Sequence, residues 1–482
     1  MNSIRKKIGL QFVVSNGSIA AHFGLSIVLA RLLTPSEIGI FSITAVFVGF
    51  AQVFRDFGVV SFIKRQKTLS PETLRAAIGL LFTSSWTIAT LLYFSTDLIA
   101  SFFKQPGVKE IMPVLALGFV FIPFGSIPQA VLARNVEVTK TTLATALSTV
   151  VYITTCITLA KLGFSYMSMA WANLAGIITG GIALTLMMPK GLPFWPSFKG
   201  WKVVAQFGLG AMAASSLKAL DTALPDILLG KLSGPRAVGI YSRANSTVNI
   251  LNTVSSPTIN YFALPYLAKA HHSGSNLSAD ISRTVSYLTG FMWPTLVATA
   301  LLSDDIILFL YGPAWHDSAV VVPWLCAVCS IQICFAIVQP ALTAMGRPYL
   351  SAVPVALVLV VKVALALIFF DGTLVSFAKA VAIAETASIP VYIYITKNYI
   401  KMGWLAWWQA VRVSALVSLV ILVQALVFDR WLFSSVSSHF LSLIIAVAWF
   451  LPGWLITIIY MKHPLTAELK KILNIISNSN FK

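Results

Sequence analysis

An all-α, polytopic membrane protein of about fourteen transmembrane helices is what this sequence predicts, and three observations carry that expectation. The 482 residues are 57% hydrophobic and only 10% charged, more apolar side chain than a soluble surface tolerates. Apolar runs of about 20 residues recur along the whole chain, each long enough to cross a hydrocarbon core roughly 30 Å thick as a helix. The runs are continuous and do not alternate, so they are not the strands of a barrel.

The first span, at 9–33, follows a basic head, but Gln11, Ser15 and Asn16 interrupt its apolar core and no small-residue cleavage site follows. It reads as a retained helix and not as a signal peptide. Spans at 36–62, 76–96, 111–133, 139–160 and 165–188 complete a first six-helix lobe, 1–190. Spans at 203–224, 236–264, 284–303, 318–345, 349–370 and 373–396 make a second, 191–400. Helices at 407–428 and 439–461, with an amphipathic tail carrying Leu465, Leu469, Ile472 and Ile476 on one face, form 401–482.

Orientation follows from the basic residues. With the N-terminus inside, the inner segments hold Arg5, Lys6, Lys7, Lys64, Arg65, Lys67, Arg75, Arg134, Lys140, Lys397, Lys401, Lys470 and Lys471 among others. The outer face keeps few beyond Arg31, Lys104, Lys109, Lys161, Lys231, Arg236 and Arg430, a bias that places both termini in the cytoplasm. The net charge of +18 then reads as topology plus attraction to anionic lipid, with no basic soluble domain for nucleic acid. Cys326, Cys329 and Cys334 fall in one apolar span without a nearby histidine and read as packing residues, so no metal site is expected.

One short passage is written twice. "VLARLLTPSEIGIFS", Val28 to Ser42, returns after an offset of 200 residues as "LLGKLSGPRAVGIYS", Leu228 to Ser242, with Leu29, Leu32, Pro35, Gly39, Ile40 and Ser42 repeated identically. The first and seventh spans then enter the membrane in the same direction, which makes a parallel repeat with a substrate site expected at the repeat interface. Pro35 and Pro235 stop one helix, while Gly39 and Gly239 let the next pack closely.

Polar residues repeat with the turn. On the first span Gln11, Ser15, Ser18, His22 and Ser26 share a face about 80° wide, and the seventh answers with Ser215, Lys218, Thr222 and Asp226. The eighth carries Ser242, Asn245, Asn249, Asn252, Ser256 and Asn260, and the second Ser42, Gln52 and Asp56. Such stripes either glue helices together through hydrogen bonds or line a hydrated cavity; Lys218 and Asp226 in mid-span favour the cavity, because charges are costly in hydrocarbon.

The sequence resembles the polysaccharide transporters, the Wzx-type oligosaccharide flippases of the MOP superfamily that also holds MATE exporters and lipid II flippases. The resemblance rests on "ARLLTPSEIGIFS", "FRDFGVVSFIKRQ", "IPQAVLARN", "GKLSGPRAVGIYSRA" and "LYGPAW", in that order along the chain. It implies a V-shaped transporter of two six-helix lobes plus two helices, with a central cavity. Such a transporter moves a polyprenyl pyrophosphate-linked oligosaccharide across the bacterial inner membrane for exopolysaccharide, capsule or O-antigen synthesis, by alternating access. Its implied partners are the lipid-linked oligosaccharide, membrane lipids and the polymerase and chain-length regulator of the same pathway.

A pyrophosphate calls for fixed cations and sugars for small hydrogen-bonding side chains. The expected substrate residues are Lys218, Arg243, Asn245, Asn249, Asn252, Ser15, His22 and Thr222. Lys218 has a second reading as an internal pair with Asp221, Arg243 as an interface marker, and His22 as a hydrogen-bonded packing residue. Arg31 and Lys231 are expected to anchor helix ends, and Lys362 to neutralise Glu385 across the hairpin near Gly372. Asp56, Asp221, Asp226 and Glu385 are the candidates for ion coupling. The rival reading is a MATE-like drug or cation antiporter on the same scaffold, whose cavity would be more acidic and aromatic. No catalytic domain or nucleotide-binding glycine loop is present in the sequence, so neither an enzyme nor a cofactor is expected.

Overall fold

The computed structural model describes residues 2–56, 58–65, 70–189, 195–197, 201–250, 253, 267, 277–431 and 438–468. They form helices and no strands, in two compact units, Met1–Ser242 and Arg243–Lys482. The first unit holds α1 Asn2–Leu32, α2 Pro35–Asp56, α3 Val59–Arg65, α4 Pro71–Phe94, α5 Thr96–Phe103, α6 Gly107–Arg134, α7 Val138–Lys161, α8 Met167–Leu186 and α9 Trp201–Leu232. A helix α10 over 235–250 carries the boundary between the units. The second unit continues with α11 Leu277–Leu301, α12 Ser303–Tyr311, α13 Val322–Phe335, α14 Val338–Ala344, α15 Ala352–Phe369, α16 Leu374–Ala387, α17 Ile389–Tyr399, α18 Trp404–Trp431 and α19 His439–Tyr460.

Among the described residues eleven helices are long and apolar enough to cross a membrane, twelve with the bent pair α11–α12, against the fourteen spans expected. Of the expected spans 203–224 and 236–264, α9 covers the first and only part of the second is described. Several spans are also broken where the sequence suggested one rod. The expected 36–62 is two helices, because Gly58 takes the left-handed conformation (φ 66°) between α2 and α3. The expected 284–303 starts earlier, at Leu277, and turns by 77° into α12. The expected 318–345 begins in a 3₁₀ turn, Pro313–Ser318, and divides into α13 and α14. Hydropathy averages over such corners, so it cannot see them.

The repeated turn explains the packing at the start of α2 and α10. A Cβ on Gly39 would overlap the Pro235 carbonyl, and a Cβ on Gly239 would overlap the Pro35 carbonyl and lie 3.3 Å from the Gly39 amide nitrogen. The two copies cross each other, glycine of one against proline of the other. Their caps differ. Thr34 and Glu37 form a capping box on α2, with the Thr34 amide donating to Glu37 Oε2 at 2.7 Å and the Glu37 amide to Thr34 Oγ1 at 3.4 Å. The second copy has Gly234 at φ 81° and Ala237 at those places. Ser165, between α7 and α8, donates to the other Glu37 carboxylate oxygen. Lys231 anchors a helix end as expected, donating to the Phe102 carbonyl at 2.8 Å with its ammonium 4.2 Å from the Phe102 ring.

In the second unit, Phe335 stacks on Tyr392 at 4.5 Å and meets Trp407 at 4.7 Å, while Trp407 Nε1 donates to Thr396 Oγ1 at 2.9 Å. Cys326, Cys329 and Cys334 are buried on α13 as free thiols. Just beyond α19, His463 is buried against Gly290 of α11, whose missing side chain leaves room for the ring. The Leu465 amide donates to its Nδ1 at 3.1 Å, which puts the neutral ring's proton on Nε2, 3.1 Å from Ser414 Oγ and 3.4 Å from Ser286 Oγ.

Two predictions follow from this packing. Gly39→Ala forces the crossing apart and should lower stability by about 1–3 kcal/mol. Gly24→Ala, where an added Cβ meets nothing within 4 Å, should be neutral or stabilising; thermal unfolding in detergent compares the two. Burial holds the His463 pKa down, from the ordinary 6.5 to about 4. The unfolded chain therefore binds a proton more readily between those values, so stability contributed here is complete above pH 6.5 and is lost as pH falls toward 4. His463→Gln should be less stable at neutral pH yet flatter across that window, and equal slopes for the two proteins would refute the assignment.

Candidate functional site

Within the first unit a cavity of about 410 Å³ opens between α2 and α9, lined by Ser42, Thr222, Asp226, Phe41 and Phe50 among others. Ser42 of the second span's seam and Thr222 and Asp226 of the seventh's thus face one space. The helical period explains the α9 side: Lys218, Thr222 and Asp226 are spaced by four and stand one above another. Pro225 lies inside α9 and has no amide hydrogen to give to the Asp221 carbonyl, which is where a helix bends or opens.

The three polar residues of α9 are in different states. Lys218 Nζ lies 3.4 Å from Asp221 Oδ2, the internal pair that was its second reading. The pair is lopsided, since the Lys218 side chain is 65% exposed and that of Asp221 10%. Asp221 gains a counter-charge, while the ammonium keeps donors turned outward. Thr222 Oγ1 donates back to the Lys218 carbonyl at 3.0 Å, leaving its lone pairs toward the cavity. Asp226 has no hydrogen-bond or ion-pair partner among the described residues.

On α10, Asn249 Nδ2 donates to Asn245 Oδ1 at 2.5 Å, so two amides of the expected sugar-binding stripe are linked along the helix, with Asn245 exposed. Asn252 lies outside the described residues. Arg243, on the same helix, has its guanidinium carbon 5.9 Å from the ring centres of both Tyr311 and Trp315. Sequence reasoning missed this contact: "LYGPAW" served only as a family marker, and an aromatic pair 68 to 72 residues away gives no local sign of its partner.

The remaining candidates sit apart. Ser15 is exposed on α1, while the His22 ring packs on Tyr152 of α7 at 5.2 Å, the packing role that was its second reading. Asp56 closes α2, and its side chain lies outside the described part. Lys362 and Glu385 are both buried, 4% and 7% exposed, on the packed neighbours α15 and α16. Opposite charges buried on adjacent helices are the arrangement that mutual neutralisation requires. Among the described residues no three histidine, cysteine, aspartate or glutamate side chains gather to hold a metal.

Comparison with known proteins shows the family and the fold. The family model described as "Polysaccharide biosynthesis protein" matches residues 28–320, more than half of the chain. The lipopolysaccharide biosynthesis protein WzxC of Escherichia coli (strain K12) is 22% identical over 309 residues, 62% of each chain. The teichuronic acid biosynthesis protein TuaB of Bacillus subtilis (strain 168) is 22% identical over 77% of each. The succinoglycan biosynthesis transport protein ExoT of Rhizobium meliloti (strain 1021) is 20% identical over 65% of this chain and 63% of its own. The matched segment therefore spans less than two thirds of the WzxC and ExoT lengths. Among solved structures, the lipid II flippase MurJ in an inward closed conformation superposes with a TM-score of 0.76 at 14% identity, covering 94% of this chain and 99% of MurJ. An inward-facing multidrug resistance MATE transporter gives 0.61 at 14% identity, over 82% and 97%. The chain belongs to the polysaccharide biosynthesis protein family, on the polytopic helical fold shared by MurJ and the MATE transporters.

Proposed function

We propose that this protein is a flippase that carries polyprenyl-pyrophosphate-linked oligosaccharide units across the bacterial inner membrane, for exopolysaccharide, capsule or O-antigen synthesis. The observation that carries the reading is the cavity between α2 and α9, where Ser42, Thr222 and Asp226 meet in a chain otherwise made of apolar spans. Polar side chains directed into a shared space within the spans are the requirement for passing a hydrated head group. The names of WzxC, TuaB and ExoT, all polysaccharide biosynthesis proteins, and of MurJ, a lipid flippase, support the same class of cargo.

In this reading both termini are cytoplasmic, the lobes are 1–190 and 191–400 with 401–482 appended, and the chain transports without catalysing a reaction. Lys218 supplies the outward-turned ammonium for the pyrophosphate, and Asn245 and Asn249 offer amides to the sugars. The second unit adds an apolar groove of about 290 Å³ lined by Phe291, Pro294, Ile421, Phe450 and Trp454, of the chemistry a polyprenyl chain needs. Polymerase and chain-length regulator are the partners that would consume the product.

A second reading, a drug or cation antiporter, draws on one specific observation: the α2–α9 cavity is lined by Asp226, Phe41 and Phe50, and by no cationic side chain among its lining residues. Gene deletion separates the two. The flippase reading expects polymer to vanish and lipid-linked repeat units to accumulate on the cytoplasmic leaflet; intact polymer with raised drug sensitivity overturns it. Lys218→Ala should then lower export while the protein stays inserted, since one charge-assisted contact of about 1.5–3 kcal/mol amounts to roughly a ten- to hundredfold change in affinity. Asp226→Asn should alter export yet leave thermal stability unchanged or raised, because an unpartnered carboxylate stabilises nothing.

A further inference from the structure

Two turns at one end of the second unit collect cations that the proposed transport has not used. α14 stops at Ala344, Gly346 takes φ 73°, and Arg347 follows, its amide donating to the Leu342 carbonyl at 2.8 Å. α17 stops at Tyr399, and Lys401 stands in the left-handed conformation, φ 62°, before α18 begins at Trp404. The second turn is closed from inside: the Met402 amide donates to the Thr396 carbonyl at 3.0 Å, and Thr396 Oγ1 donates to the Met402 carbonyl at 3.0 Å. Leu342, Ile400, Met402 and Trp407 belong to one buried core with Leu350 and Tyr399 packed against it, so the two turns are held together.

On this base three cations face outward. The Arg347 guanidinium carbon lies 4.9 Å from the Tyr399 ring centre, which gives the planar fork a surface to rest on. The Lys397 stem passes Gly403, its Cγ 4.0 Å from where a Cβ on that glycine would stand. Lys401 lies between the buried Ile400 and Met402. Arg347, Lys397 and Lys401 are all exposed, and none has a carboxylate partner among the described residues. The chain offers none close by in sequence either, since no aspartate or glutamate occurs between Asp317 and Asp371 or between Glu385 and Asp429. Trp404 and Trp408, one turn apart on α18, are exposed on one side of the helix.

Orienting a membrane chain requires only positive charge in short loops, and lysine serves there as well as arginine. An arginine resting on a ring goes further, because the ring attracts the cation without cancelling it and leaves the N–H groups of the fork to an anion. Two parallel N–H bonds match two oxygens of one phosphate. Exposed tryptophans settle at the level of lipid head groups. We propose that Arg347, Lys397 and Lys401, with Tyr399 as the platform under Arg347, bind the phosphodiester head group of an anionic phospholipid, whose glycerol and upper acyl chains lie on Trp404 and Trp408. A zwitterionic lipid is disfavoured, since its own cation would meet three positive charges. Lys218, the cation assigned to the cargo, belongs to the other unit, and the lipid site stands whether or not the flippase reading does.

The test titrates the purified full chain, in detergent micelles, with phosphatidylglycerol or phosphatidylcholine and counts retained lipid by native mass spectrometry. The wild type should hold phosphatidylglycerol at least about tenfold more tightly than phosphatidylcholine, and Arg347→Lys, which keeps the charge but not the fork, should lose about that factor. Tyr399→Leu should lose as much, Tyr399→Phe should bind as wild type, and Arg347→Lys with Tyr399→Leu should be no weaker than either alone, because both act through one guanidinium. Should Tyr399→Leu fail to fold, as judged by thermal unfolding, the exposed Lys401→Gln takes its place and should weaken binding severalfold. Equal retention of the two lipids overturns the site. So does wild-type binding by Arg347→Lys beside a weakened Arg347→Gln, which would reduce the patch to unspecific charge. Farnesyl pyrophosphate that displaces phosphatidylglycerol from the wild type, and binds Arg347→Lys poorly, gives the site to the cargo and overturns its assignment to a membrane phospholipid.

Discussion

The first unit depends on a close backbone crossing that only glycine permits. In lipid, helices gain little from hiding apolar surface, so contact must come from near approach and good packing. Gly39 against Pro235 and Gly239 against Pro35 satisfy this twice with one pair of residue types. The exchange is reciprocal, as in a two-fold interface where each copy presents to the other the surface it receives. That is why proline and glycine recur in both copies while the capping residues do not. A cap is a local matter, so Thr34 with Glu37 and Gly234 with Ala237 are alternative ways to begin a helix. The crossing is shared, and a change on one side has to be answered on the other.

From the crossing the polar seam follows. Ser42 stands three residues after Gly39, one turn further along α2, and it reaches the cavity to which α9 contributes Thr222 and Asp226. Polar groups within the spans then fall into two kinds. Lys218 with Asp221 and Asn245 with Asn249 satisfy each other along their own helices, which removes much of the penalty of placing them there. Asp226 has no such answer among the described residues, and its place beside Pro225 combines an open carboxylate with a helix that has lost a bond. An arrangement that does nothing for stability is one that the proposed transport would use.

The sequence made the fold class legible because membrane helices need long apolar runs, and nothing else in a soluble or barrel protein imitates them. It made close packing at each turn legible too, since a proline four residues before a glycine, repeated after 200 residues, has a mechanical meaning on its own, but not that the two copies meet each other. What it concealed was angular. The 77° turn from α11 to α12 and the break at Gly58 leave mean hydropathy unchanged, since the residues on both sides are still apolar. Site residues were legible as far as helical period reaches. Lys218, Thr222 and Asp226 were placed on one face by counting, and Lys218 with Asp221 by their spacing of three. Tyr311 and Trp315 were out of reach, because what joins them to Arg243 is tertiary packing, and no periodicity crosses the intervening helices.

One carboxylate can tell the two transport readings apart by the sign of its effect. An ionised Asp226 attracts a cationic drug and repels a pyrophosphate, so proton uptake by it weakens the first ligand and strengthens the second. Linkage makes the relation mutual: a cation bound near Asp226 must favour release of its proton, and an anion must favour uptake. With an antiporter, ligand affinity rises with pH through the titration of Asp226; with a flippase for an anionic head group it falls. Replacing Asp226 by asparagine removes the dependence in both cases, and only the direction of the lost slope differs. The cavity's acidity therefore does not by itself favour the drug-exporter reading. An acid that repels the cargo until it takes a proton is a means of coupling export to that proton, provided the Lys218 ammonium, two helical turns away on the same face, supplies the attraction.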